Sequence, residues 1–313
     1  MNIVLKLKLQ LKIVKYIIIL LLVILLFLPV SNYFKSLEQD RIIYGEDRNF
    51  GIEAASYIFY DKDGYKVSIN SQYAQYLSKD EIKFKDLELR HNRADNKIKI
   101  KAFNALYHQQ NRELDFAEGI IIRDEQELEI YAERASYAMN ENQLYGSRDI
   151  ILKNKFGALN SESFIINLAE QKYYFKHNIK FKFQSDSRTS ELYAEALDID
   201  NINNIINIWH DPLYLDQQLE ISSKEMKIKF EQIDDKLQIT ELNALNKVVI
   251  KHQDKYLYGN LAIFYPQKQL IIIEGEVKIK QEKNTIKGEK IIYNLLNQEI
   301  KILQLKDQYL ELN

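Results

Sequence analysis

The sequence predicts an all-β protein, an elongated antiparallel β-jellyroll or open sandwich, carried behind one N-terminal transmembrane helix. Three observations predict it. Apolar and polar residues alternate over most of the chain beyond residue 40. A small-residue motif recurs in register with that alternation. One unbroken apolar run, and no second of comparable length, sits near the N-terminus.

The apolar run comes first. Residues 13–30 read IVKYIIILLLVILLFLPV, apolar except for Lys15. A helix of that length spans roughly 27 Å, close to a bilayer core of about 30 Å. Lys15 lies near one end, where its charge reaches the headgroups. Lys6, Lys8 and Lys12 precede the run, which keeps residues 1–12 cytoplasmic and sends the rest across the membrane. A cleaved signal peptide is the competing reading, but Pro29-Val30-Ser31-Asn32-Tyr33-Phe34 lacks the small-residue cleavage pattern. The expectation is a single-pass inner-membrane anchor over 13–31. The stretch Phe34 to Asp47 is the one place beyond it where helical patterning is a candidate.

The body follows. Ile98-Lys-Ile-Lys-Ala102, Leu128-Glu-Ile-Tyr-Ala132 and Val277-Lys-Ile-Lys alternate as strands with one buried face do. A small residue with apolar residues three and five positions later recurs seven times. The copies begin at Ala102, Ala132, Ser161, Ala194, Ser223, Gly259 and Gly288. Within the second copy, Ala132 to Ala135 is an odd step, so the alternation slips by one residue. A β-bulge or corner at the small residue keeps apolar groups inward while the strand bends. A slip at the same place in each repeat folds the strands across two opposing sheets. Turn signals at Asn140-Glu-Asn142, Asp200 to Asn204 and Asn294 to Gln298 supply a second strand per repeat, hence about sixteen to eighteen strands. The polar stretch Gln184-Ser-Asp-Ser-Arg-Thr-Ser190 is the best boundary, giving domains of 32–185 and 186–313.

Composition excludes several classes. With no cysteine there is no disulfide framework and no thiolate metal site. The net charge is −2, and the four lysines of the first 31 residues leave about −6 on the remainder, which argues against a nucleic-acid partner. His91, His108, His177, His210 and His252 lack metal-ligand spacing, and no Gly-x-Ser-x-Gly or phosphate-binding Gly-rich loop occurs. Asp61-Lys-Asp63-Gly64 begins like a calcium loop but lacks its later ligands, and reads better as a hairpin turn. The expectation is no catalytic residue, no metal and no cofactor.

Several stretches resemble a known family. Ile271-Ile-Ile-Glu-Gly275-Glu-Val277-Lys-Ile-Lys-Gln281, then Asn284-Thr-Ile-Lys-Gly288-Glu-Lys-Ile-Ile-Tyr293-Asn-Leu295, is similar to the strand–turn–strand pattern of the OstA-like proteins of the lipopolysaccharide transport bridge. Asp211-Pro-Leu-Tyr-Leu, running into Leu219-Glu-Ile-Ser-Ser-Lys-Glu-Met, is similar to the opening of LptA-type units. The anchor with Ala132-x-x-Ala135-x-Tyr137 and Leu144-Tyr-Gly146 resembles LptC. The chain departs from the pattern at Glu276, where Asn is usual, and by two extra residues between Gly146 and Ile150.

The resemblance implies a protein that shelters lipopolysaccharide, or a related amphiphile, in an apolar groove. It implies an inner-membrane ABC transporter as energy source and edge-strand pairing with other β-jellyroll bridge subunits. Groove-lining candidates are Ile130, Tyr137, Phe164, Ile166, Leu192, Ile199, Ile221, Met226, Ile228, Phe264, Ile286, Ile291 and Tyr293. Each also reads as plain sandwich core, and two further function classes stay open. One is a tethered structural or adhesive β-repeat protein. The other is an anchored periplasmic enzyme.

Overall fold

Alternation of period two becomes strand from end to end. The computed structural model describes residues 50–304, except 62, 93–96, 126–127, 155–156, 186–187, 201, 234–235 and 283. The expected tail, the anchor over 13–31 and the stretch 34–47 lie outside the described residues. No helix among the described residues is long and apolar enough to cross a membrane.

The first strands are β1 (Gly51–Tyr60), β2 (Lys66–Tyr76), β3 (Glu81–Asn92), β4 (Lys97–His108), β5 (Glu113–Arg123), β6 (Glu129–Ala138) and β7 (Gln143–Asn154). Next come β8 (Gly157–Asn167), β9 (Lys172–Ser185), β10 (Arg188–Asp200), β11 (Ile205–Trp209), β12 (Leu213–Asp216) and β13 (Leu219–Ser222). The last are β14 (Glu225–Ile233), β15 (Lys236–His252), β16 (Lys255–Tyr265), β17 (Leu270–Gln281), β18 (Asn284–Asn294) and β19 (Ile300–Gln304). Among the described residues a single 3-10 turn, Pro266–Lys268, interrupts them.

All pairings are antiparallel, and the order is a meander in which each strand pairs with its chain neighbours. Around β10 to β15 the pattern is broken but not lost. β11 and β12 both face β10, separated by His210 to Pro212. β13 and β14 both face β15, separated by Ser223 and Lys224. Taking each broken pair as one strand turns nineteen into seventeen, within the range read from the repeats.

The slip lies where the small residues put it. Register shifts flank Ala102, Ala132, Ser161, Ala194 and Gly259, and Gly288 faces the shift in β17. The neighbouring strands carry the wider half of each corner, which the alternation alone did not reveal. There, two successive residues adopt positive φ: Glu118–Gly119, Arg148–Asp149, His177–Asn178, Asn246–Lys247 and Gly275–Glu276. Such a pair turns three side chains outward between two inward ones and bends the strand. The two residues inserted after Gly146 are this bulge. Glu276 occupies a left-handed position that Asn tolerates better, which gives the departure from the family pattern a local cost.

Each strand therefore gives one half to each of two facing walls. Wall A ends in the turns at 61–65, 124–128 and 253–254, and wall B ends in those at 109–112, 139–142 and 295–299. On wall B, successive turns are stitched by backbone hydrogen bonds, Met139 N–H to Arg112 O (3.1 Å) and Leu168 N–H to Asn142 O (3.0 Å) among them. One continuous cluster of buried apolar side chains fills the space between the walls.

Candidate functional site: the interior between the walls

The thirteen groove candidates fall on three cross-strand rows. On wall B, Tyr137, Ile166, Ile199, Ile228, Phe264 and Tyr293 share one row, completed by Leu144, Tyr173, Ile206, Leu242 and Ile271. Phe164, Met226 and Ile291 lie on the next row, nearer the corner. Ile130, Leu192, Ile221 and Ile286 belong to a row of wall A, with Leu152, Phe181, Tyr214, Ile250, Leu257 and Ile279. Twelve of the thirteen are at most 7% exposed, so all twelve face the interior. Ile286 is partly buried and packs against the same cluster.

Large and small residues alternate where space is short. On the corner row, Ala105, Phe116, Ala135, Gly146 and Phe164 are successive partners. A Cβ on Gly146 would sit 2.2 Å from Phe164 Cε1 and 2.9 Å from the carbonyl oxygen of Arg134, so only glycine fits. A depression of about 640 Å³ lies over this corner, lined by Ala105, Phe116, Ala135 and Gly146 together with the polar Asn104, Asp115 and Arg134.

The corners close one side of the interior. On the other side the rims of the two walls meet through a few polar contacts, and sequence reasoning found none of these. Near the N-terminal end, within wall A, His91 Nε2 donates to Asp61 Oδ2 at 2.9 Å, both side chains being buried. Asp61 Oδ1 accepts the N–H groups of Asp63 (2.9 Å) and Tyr65 (2.8 Å), so the Asp-Gly segment is a hairpin turn, as its sequence suggests. Burial acts to raise the Asp61 pKa, but the His91 contact and these backbone donors outweigh it and hold the carboxyl below the usual range. From wall B, Asn142 Nδ2 reaches Asp63 Oδ2 at 2.7 Å, and the His91 and Tyr137 rings pack edge to face, 6.1 Å apart.

Two further bridges follow. Tyr173, on wall B, donates its hydroxyl to Asp124 Oδ2 of wall A at 2.9 Å. Farther on, Tyr293 bonds His252 Nδ1 at 2.7 Å, while Lys255 Nζ donates to Gln298 Oε1 at 2.6 Å and Gln298 Nε2 to Gln253 Oε1 at 2.8 Å. Burial pushes the Tyr293 phenol up to about 12 and His252 below its ordinary value, Lys255 adding to the latter. The phenol thus keeps its proton at neutral pH. Tyr214 on wall A and Phe264 on wall B pack with ring centroids 6.3 Å apart. Among the described residues no cluster of three or more acidic or histidine side chains is arranged to hold a metal.

Residues 16–184 match the family described as lipopolysaccharide-assembly, LptC-related. The chain belongs to this LptC-related family. Residues 217–310 of the same LptC-related chain match the OstA-like protein family. Both halves thus carry the resemblance read from the sequence, and the chain is a member of the lipopolysaccharide transport bridge families and not an enzyme. Among solved structures, the LptC-related chain is similar to LptH from Pseudomonas aeruginosa, the LptA homologous periplasmic component of the conserved lipopolysaccharide transport device. Identity is 13%, coverage 39% of this chain and 90% of that one, and the TM-score 0.34. No curated protein matches the LptC-related chain.

Proposed function

We propose that the chain is a periplasmic lipid carrier held to the inner membrane by residues 13–31. It takes lipopolysaccharide from an ABC transporter and shelters the acyl chains between its two walls on the way to the outer membrane. The observation that carries this reading is the continuity of the three apolar rows, which run without interruption from the LptC-related segment into the OstA-like one. Each methylene kept from water is worth about 0.8 kcal/mol, so an amphiphile with several acyl chains needs such a path to cross an aqueous space. The rows provide apolar surface throughout, and the polar rim contacts are few enough to part as a lipid enters. Residues 32–185 act as the receiving part and 186–313 as the extending part. Among the described residues β1 and β19 are the sheet's edges, and sister β-jellyroll subunits join there by strand addition.

A second reading has its own support. The interior side chains fill the space between the walls, and Tyr293 touches His252 across it, as in a dry structural module. Photocrosslinking separates the two. A photoreactive amino acid replaces Ile166, Ile228 or Tyr293 in the native host, with outward-facing Lys176 as control. Lipid-shifted bands at the three interior positions and none at Lys176 are expected. A folded, expressed protein with no lipid adduct at any position leaves the tethered structural module.

A further inference from the structure

The outer face of wall A carries three tyrosines on one cross-strand row: Tyr131 of β6, Tyr193 of β10 and Tyr258 of β16. A lysine ammonium lies over each ring, Lys153 at 5.3 Å, Lys180 at 5.0 Å and Lys280 at 5.8 Å from the centroid. The residue two before each tyrosine lies on the neighbouring outward row, and there the three places differ. At Tyr131 it is Glu129, flanked in register by Arg123 and Lys153 and ion-paired to Arg123. At Tyr193 it is Glu191, ion-paired to Lys180 at 3.2 Å and to Lys182 at 3.5 Å. At Tyr258 it is Tyr256, flanked in register by Lys251 and Lys280.

The third place thus has the cations without the glutamate. Lys251 turns to Glu220 at 2.8 Å. Lys280 forms no ion pair among the described residues, and neither do Lys278 and Lys287, which follow Tyr258 along its row. Lys278 and Lys287 stand directly opposite each other, a like-charge pair that costs stability until an anion offsets it. Tyr256 is 41% exposed beside them. We propose that Tyr256, Lys278, Lys280 and Lys287 form a binding site for an acidic glycan chain on the outer face of wall A. A carboxylate of the glycan takes the place that glutamate holds at the other two tyrosines, and a sugar ring lays its C–H face on Tyr256. A flat sheet face encloses no small molecule, so the ligand is a chain that makes several such contacts. An acidic peptide fits less well, because β16 and β17 are paired on both sides and offer a peptide backbone no free ladder. The sheet itself separates this site from the apolar interior, so the inference stands apart from the lipid-carrier reading.

The test measures binding to the full chain in nonionic micelles by thermophoresis, with probes of matched length. Hyaluronan oligosaccharides alternate a uronate with N-acetylglucosamine, chitin oligosaccharides carry N-acetylglucosamine alone, and polyglutamate carries carboxylates without sugar. Hyaluronan is expected to bind about tenfold more tightly than either of the others. Tyr256→Ala should lower it to the level of polyglutamate, and Tyr256→Trp should keep it. Lys278→Gln, Lys280→Gln and Lys287→Gln together should lower it to the level of chitin. Tyr256→Glu, which copies the other two places, should abolish the preference, and Tyr131→Ala should leave it unchanged. Circular dichroism checks that each variant is folded, and the single substitution at Tyr256 serves if the triple one is not. Hyaluronan binding no better than chitin overturns the site, since charge is then not selected. Hyaluronan binding no better than polyglutamate overturns it as well, leaving attraction of any polyanion. So does binding of no probe, or a folded Tyr256→Glu variant that keeps the preference.

Discussion

The Tyr293 hydroxyl and Nδ1 of His252 are hydrogen-bonded across the interior at 2.7 Å, so that one contact joins strand β18 of wall B to strand β15 of wall A. Both groups are buried. Removing the hydroxyl strands a desolvated nitrogen. Tyr293→Phe should therefore cost about 1–3 kcal/mol, read as a lower urea midpoint at pH 7.5.

The same pair sets a pH dependence. The folded-state pKa of His252 lies below its ordinary value of 6.5, so the unfolded chain binds more protons as pH falls. The His252 contribution is present above the unfolded pKa and is lost as pH drops below it. Urea midpoints at pH 7.5 and 5.0 should differ more for the unaltered protein than for His252→Gln. Equal differences would remove His252 from the account.

Asp61 gives the companion case at lower pH. Its folded pKa lies below the ordinary 3.8, so its contribution is present at neutral pH and is lost as pH falls through the folded value. Asp61→Ala removes the carboxylate that His91 and the turn N–H groups share and should destabilise by about 1–3 kcal/mol. Circular dichroism melts of the variant at pH 7 should show the loss, and its melting temperature should be less sensitive to acid below pH 4.

The corners make a graded prediction. Gly146→Ala drives a Cβ against Phe164 and a fixed carbonyl, whereas Gly119→Ala meets open space and bears only the strain of φ +64°. Gly146→Ala should cost about 1–3 kcal/mol through overpacking. Gly119→Ala should cost about 1–2 kcal/mol from left-handed backbone. A larger loss at Gly119, by thermal melting, would mean that backbone strain and not packing limits the corner.

Phe264 and Phe103 test which side of the sheet is inside. Phe264 is fully buried, and Phe264→Ala should cost about 3–5 kcal/mol. Phe103 is 54% exposed at its corner. Phe103→Ala should fall within about 0.5 kcal/mol of the unaltered protein in the same urea titration.

Much of this fold was legible because strands report their faces locally. The small residue with apolar partners three and five positions on identified one half of the corners from β4 onward but missed the one at Ala54, Ser71 and Asp86, and the thirteen candidates drawn from those strands fell on inward rows. The other half carries its own signal: Gly119, Asp149, Asn178, Asn246 and Gly275 recur at the spacing of the small residues, and each belongs to a residue type suited to left-handed backbone. The breaks at His210–Pro212 and Ser223–Lys224 were hidden because the flanking segments alternate as if continuous. The rim contacts were not readable at all. Asp61 meets His91 across 30 residues and Lys255 meets Gln298 across 43, and no periodicity within a strand encodes which turn will face which.

Largely sequential pairing has a consequence for how the chain is built and how it varies. Most strands dock on the one before them, so most strand pairing is between neighbours in sequence, and the sheet can zip up progressively from the N-terminal end as the polypeptide emerges. Adding or deleting one hairpin of the repeat changes only the neighbours on either side. Length is therefore an adjustable dimension of this architecture, set by copy number and not by redesign of the core.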